Sequence, residues 1–216
     1  MLIIEPKSKL VFMGDSITDA GRVRPGGEGL FDPYGQGYVA FVNALLNSTY
    51  PQAPTRVVNK GNSGDTTRSL LQRWKEDCLD QNPDWVSIMI GINDVWRQFD
   101  MPLFPEEHIS TDEYEKNLIE MLDSIQGKVK GIVLCTPYFI ESNIEDAMRK
   151  RMTEYADIVK KLSKKYDTLL VDTQEAFDSY LAHHFSANMS WDRVHPNNVG
   201  HMIIARAFLK AIGYEF

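Results

Sequence analysis

Leu10-Val11-Phe12-Met13-Gly14-Asp15-Ser16-Ile17-Thr18-Asp19 is an apolar run that stops at a glycine and hands over to a serine. A short continuous apolar run ended by glycine reads as a strand covered on both faces, and the polar residues behind it as the loop leaving the sheet. Including this one, five such runs occur, at about residues 8–13, 55–59, 85–91, 130–136 and 168–172, separated by longer segments of helical period. The alternation predicts an α/β protein, a three-layer α/β/α sandwich around a five-stranded parallel sheet. Between the third and fourth runs, Ser110-Thr111-Asp112-Glu113 has the form of a capping box. Tyr114, Leu118, Met121, Leu122 and Ile125 then mark one face of the helix it opens. Asp65 is expected to open a helix carrying Leu70, Leu71, Trp74 and Cys78. Pro196 is expected to start the last helix, with Met202, Ile203, Ala205, Phe208 and Leu209 on its buried side.

With 216 residues and 43% apolar content, one core suffices, and residues 1–216 are expected to form a single domain. A net charge of -7 argues against a grip on nucleic acid or anionic lipid, since both depend on excess Lys and Arg. No apolar stretch approaches the roughly 20 residues that span a bilayer. Met1-Leu2-Ile3-Ile4-Glu5-Pro6-Lys7 lacks the charged and then apolar regions of a signal peptide. Cys78 and Cys135 have neither metal-ligand nor redox spacing and read as structural thiols. A cytoplasmic protein that needs no cofactor or metal is expected.

Open parallel sheets bind ligands beyond the carboxyl ends of their strands, so the residues found there form a set. Ser16 follows the first run, Gly61 the second in Val57-Val58-Asn59-Lys60-Gly61, and Asn93 the third in Ile90-Gly91-Ile92-Asn93-Asp94. Near the other end of the chain, Asp192-Arg193-Val194-His195 supplies an acid and an imidazole three residues apart. A serine hydroxyl needs such a base, oriented by such an acid, to attack a carbonyl. The developing oxyanion needs donors, which the N–H of Ser16, the N–H of Gly61 and the Asn93 amide could supply. Taken singly, each has a plainer use: Ser16 as a helix N-cap, Gly61 and Gly64 as turn formers, Asn93 in an Asx-turn, His195 as an ordinary histidine. Their joint placement points to acyl transfer. Asp15 and Asp94 read as turn braces. The glycine-rich Gly21 to Gly37 segment is open between a substrate rim and a flexible connection.

The four blocks, Gly-Asp-Ser at Ser16, Asn-x-Gly-x-x-Gly at Gly61, Gly-x-Asn-Asp at Asn93 and Asp-x-x-His at His195, resemble those of the SGNH hydrolases, or GDSL esterase/lipase family. The resemblance runs from Leu10 to about Ala211, with Ile17 where the family name implies Leu. More closely, the chain is similar to the acetyl-xylooligosaccharide esterases of xylan-degrading bacteria. That likeness rests on Val58-Asn59-Lys60-Gly61, on Pro83 through Gln98 and on Trp191-Asp192-Arg193-Val194-His195-Pro196. The resemblance implies a flavodoxin-like SGNH fold, deacetylation of xylo-oligosaccharides through an acyl-enzyme on Ser16, Asp192 and His195, and self-association.

The absence of a Gly-x-Ser-x-Gly elbow separates the chain from the α/β-hydrolases. Trp96, Arg97 and Trp191 adjoin signature residues and are expected to touch substrate, two aromatic faces and a cation suiting a sugar. Other readings are a short-chain carboxylesterase, a thioesterase or a lysophospholipase of the same family. A metal-dependent deacetylase would need a ligand set that His183, His184, His195 and His201 do not supply by spacing. A carbohydrate-binding module with an inactive site is the non-enzyme alternative.

Overall fold

Each of the five apolar runs becomes a strand: β1 Lys9–Gly14, β2 Arg56–Gly61, β3 Trp85–Met89, β4 Gly131–Cys135 and β5 Leu169–Val171. They are seen in a computed structural model that describes residues 2–216. Met1, the first residue of the stretch read above for a signal peptide, lies outside them. The strands pair in parallel in the order β2-β1-β3-β4-β5. β1, β3 and β4 are central and almost wholly buried, as their unbroken apolar character requires.

Helices α1 Ser16–Asp19, α2 Tyr38–Thr49, α3 Thr67–Gln72, α4 Trp74–Asp77, α5 Ile92–Asp100, α6 Thr111–Ile125, α7 Ala147–Tyr166, α8 Thr173–Leu181 and α9 Asn198–Ala211 connect and flank the strands. α2, α8 and α9 pack together in one layer, and α3, α5, α6 and α7 in the other. Beneath the first, Phe12 of β1 meets the rings of Tyr38 and Phe208.

The predicted face of α6 is buried at all five positions, and Ser110 caps it by accepting the Glu113 N–H at 3.2 Å. Glu113 does not close the box; its carboxylate pairs with Arg68 at 2.7 Å. Two helix expectations need correction. Thr66, not Asp65, caps α3, in a reciprocal box with Ser69, because the Asp65 carboxylate is taken by Arg73 and Asn62. The expected single helix also breaks at Arg73 into α3 and α4, followed by a 3-10 turn. At the other end Asn197 caps α9, and Ile204 rather than Met202 or Ile203 joins Ala205, Phe208 and Leu209 on the buried side. Placing 204, 205, 208 and 209 on one stripe satisfies the helical period, which 202 and 203 do not share.

The order of strands reverses direction at β1: the chain goes one way to β2, then returns past β1 to β3 and onward. Such a switch leaves a crevice outside the carboxyl ends of the two strands it separates. Ser16 follows β1 and Asn93 follows β3, so both border that crevice.

Candidate active site

Ser16 is the first residue of α1, and the preceding Asp15 caps the helix by accepting the Ile17 N–H at 3.0 Å. This confirms Asp15 as a turn brace. Burial pushes its carboxyl up to about 7, and the nearby Asp94 and Asp65 charges add to the rise against the Ile17 hydrogen bond. At its first position the Ser16 N–H has no acceptor within the helix. Its hydroxyl lies 2.8 Å from His195 Nε2, 179 residues away in sequence.

Asp192 and His195 stand on a tight turn. His195 Nδ1 is 2.7 Å from Asp192 Oδ2, while Asp192 Oδ1 accepts from the N–H groups of Val194 and His195 and from the Ser190 hydroxyl. Partial burial pushes the Asp192 carboxyl up, but these hydrogen bonds outweigh it and hold the group down at about 2. Arg193 pays for the turn with φ +62, a left-handed conformation that costs a non-glycine residue about 1–3 kcal/mol. The surroundings hold it there. Its guanidinium pairs with Glu141 at 2.7 Å and lies over the Phe139 ring, its carbonyl accepts the Ile140 N–H, and the Tyr138 hydroxyl donates to the Val194 carbonyl.

Asn93 is 2% exposed. Its Nδ2 donates to the Asp65 carbonyl at 2.9 Å, and its Oδ1 accepts from Arg97 at 3.2 Å. One amide N–H thus anchors the side chain, and the other has no acceptor among the described residues. Arg97 also pairs with Asp100 and stacks over Trp96, whose ring meets the edge of His195 with centroids 5.8 Å apart. Arg97, expected to touch substrate, therefore faces protein groups. Trp96 does border the site. The Trp191 indole, next to Asp192 in sequence, is 92% exposed and has no ring or cation partner among the described residues.

Gly61 is not placed to serve as an oxyanion donor. It is the last residue of β2, in register with Gly14, and its N–H donates to Asn59 Oδ1 at 2.9 Å. Neighbouring strand N–H groups point to alternate edges. Arg56 and Asn62 donate to Ser8 and Gly14 of the β1 segment, so the N–H groups of Asn59 and Gly61 face the outer edge. Glycine is needed at position 61 for close approach, since a Cβ there would lie 2.2 Å from the Asp19 nitrogen.

Three residues on, Gly64 has φ +88 and open space where a Cβ would project. Its neighbours are fixed, Ser63 on Asp19 and Asp65 on the Asn62 carbonyl, and its own N–H has no acceptor among the described residues. The sequence contained this candidate in the same Asn-x-Gly-x-x-Gly block.

Asp94 is also reassigned: it accepts from the N–H and hydroxyl of Thr67, bracing α3 from a distance rather than its own turn. Gly21 to Gly37 is neither a plain rim nor a slack connection. Arg22 is buried with Nε on the Gly61 carbonyl, and Gly27 O accepts the Asn59 N–H, while its tip at Leu30 and Phe31 is exposed. His184 stacks on Tyr180, and His201 accepts the Tyr38 N–H under α2. A larger groove of about 750 Å³, between β5, α8, α9 and Phe216, shares no residue with this site.

The family model for GDSL-like lipase/acylhydrolases matches residues 12–203. The acetylxylan esterase of Geobacillus stearothermophilus is 54% identical over 96% of this chain and 95% of its own length. Its crystal structure matches at 53% identity with TM-score 0.98, covering 100% of this chain and 98% of that one. An α/β hydrolase enzyme from the metagenome of Lake Arreo, Spain, matches at 52% identity and TM-score 0.97, covering 99% and 98%. Structures described as catalytic mutants of the Geobacillus enzyme replace a serine, an aspartate or a histidine by alanine. Those three residues have the same separations along their chain as Ser16, Asp192 and His195 have here. Motifs, sheet topology and family model agree, and the chain belongs to the GDSL-like lipase/acylhydrolase family.

Proposed function

We propose that the protein is a serine esterase that removes acetyl groups from acetylated xylo-oligosaccharides through an acyl-enzyme on Ser16. The observation that carries the chemistry is the continuous chain from Ser16 Oγ through the His195 ring to Asp192, at 2.8 and 2.7 Å. His195 takes the hydroxyl proton as Ser16 attacks the ester carbonyl and returns it to the leaving alcohol; Asp192 holds the ring and balances the imidazolium. The oxyanion is met by the N–H of Ser16, the N–H of Gly64 in place of Gly61, and the free N–H of the Asn93 amide. Water then repeats the sequence on the acyl-enzyme.

The substrate class is supported by the name of the Geobacillus relative, at high identity over nearly the whole of both chains. A fluorophosphonate should label Ser16, mapped by peptide mass, and the protein should turn over acetyl esters faster than octanoyl esters of the same alcohol. Label on Ser63 or Ser190 overturns the mechanism. Rates rising with acyl length, or hydrolysis of a lysophospholipid but not of acetylated xylose, overturn the substrate.

Self-association belongs to the same proposal. It is supported by neighbouring apolar side chains left in water, Leu30 with Phe31 and Leu103 with Phe104, each more than half exposed, since adjoining exposed apolar groups mark interaction sites. Sedimentation at micromolar concentration tests it. A cytoplasmic location is likewise proposed, supported by two free, buried cysteines, and is tested by cell fractionation.

A further inference from the structure

Cleavage of a sugar ester gives its two parts different fates. The acyl group stays on Ser16, while the alcohol leaves with the proton held by His195. The alcohol side of the substrate therefore lies against His195, and anything that grips more of that alcohol must continue outward from the acid–base turn. A cleft of about 250 Å³ starts there. Asp192 and Arg193 form one wall, Trp96, Phe99 and Asp100 of α5 a second, and the first turn of α7 at Ala147 a third.

Of the aromatic rings in this cleft, two are already engaged. Arg193 covers Phe139, and Trp96 is shared between the Arg97 guanidinium and the edge of His195. Phe99 is 41% exposed, and among the described residues it has no ring or cation partner. Around it stand two partly exposed carboxylates. Asp100 is engaged by Arg97, and Asp146 caps α7 with Oδ1 and turns Oδ2 toward Arg193 at 3.4 Å. A carboxylate pair has more lone pairs than these contacts use.

A flat apolar face ringed by acceptors and one guanidinium matches a pyranose, which presents C–H groups on a face and hydroxyls at its edge. A hydrocarbon chain in the same place would strip water from three aspartates and return no hydrogen bond. We propose that this cleft is a subsite for the sugar adjoining the acetylated one, so that oligosaccharides bind across α5 and the first turn of α7. The assignment rests on the acetylated-sugar reading of the active site.

Ala147 is exposed at the start of α7, and Ala147→Trp would narrow the cleft from its α7 wall while leaving Ser16, Asp192, His195 and Asn93 themselves unreplaced. Phe99→Ala removes the open face. Both variants should be compared with the parent on nitrophenyl acetate, acetylated xylose and acetylated xylotriose. The expected result is a KM for the trisaccharide raised about tenfold, as for loss of one apolar contact, with kinetics on the two smaller esters unchanged. The small esters also report that the variants are folded. Unchanged kinetics on all three substrates, or an equal loss on all three, overturns the subsite. If the parent cleaves nitrophenyl acetate but neither sugar, the substrate reading itself falls and the subsite with it.

Discussion

Asn93 and Asp15 are 2% and 1% exposed, whereas the side chains of Asp192 and His195 are 39% and 45% exposed. The Ser16 side of the site is embedded at the carboxyl ends of β1 and β3, where Asn93 is held by Asp65 on one side and Arg97 on the other. The Asp192–His195 side is half exposed and is held mainly by polar contacts, four hydrogen bonds on the Asp192 carboxylate and the Arg193–Glu141 ion pair. Preorganisation is thus achieved by burial in one half and by saturating a single carboxylate in the other.

The largest break in this comparison should come from the exposed half. Asp192→Asn keeps the shape but loses the charge and the single sense of the bond to His195, and kcat should fall about 10⁴-fold. Retention of a tenth of the parent's kcat would show that solvent can replace the carboxylate. In the buried half, Asn93→Ala should lower kcat about 10²- to 10³-fold with KM little changed; a raised KM at constant kcat would make Asn93 a ground-state contact.

Arg97→Met sharpens the contrast, because Arg97 is taken to act only through Asn93. It should cost about tenfold in kcat in the parent and nothing further in an Asn93→Ala background, the non-additivity expected of groups in one network. A separate rise in KM in both backgrounds would return Arg97 to direct substrate contact.

The smallest effect is on stability. Burial raises the Asp15 and Asp94 carboxyls to about 7 and about 6 in the folded protein, against about 3.9 unfolded. Their contribution is full below the unfolded value and is lost as pH rises through the folded ones. His201 runs the other way. Burial lowers it to about 4, so its contribution is present above about 6.5 and lost as pH falls. The difference between parent and Asp15→Asn isolates one of these opposed trends. The urea midpoint of the parent relative to the variant should decline from pH 4 to 7; a flat difference would mean Asp15 is ionised without penalty.

The buried half was also the easier to read in the sequence. Strands covered on both faces announce themselves as apolar runs, and a helix such as α6, apolar on one stripe, gives its period away. What stayed hidden depends on partners far along the chain. Whether Gly61 or Gly64 offers its N–H to the crevice is decided by which neighbour β2 pairs with, and no local pattern records that. Likewise, Asp94 reads as a local turn former because its donor, Thr67, lies 27 residues away and is brought to it only by the tertiary placing of α3 against α6. Arg97 beside Asn93 looked like a substrate contact because sequence shows adjacency but not direction. On α9 the pattern locates Ala205, Phe208 and Leu209 but misses Ile204, since Met202 and Ile203, only partly buried, are as apolar.

The cover that Gly21 to Gly37 lays along β2 reaches beyond the site. A Cβ on Gly27 would lie 1.9 Å from the Asn59 carbonyl oxygen, so the segment sits on the strand as closely as a sixth strand would, without being one. An uncovered strand edge is a template on which other chains stack into aggregates. Here the long edge is occupied by the chain itself, and the opposite edge is β5, three residues long. A substitution that unseats Gly27 would open the longer template, which makes this loop a point where solubility, more than catalysis, is at stake.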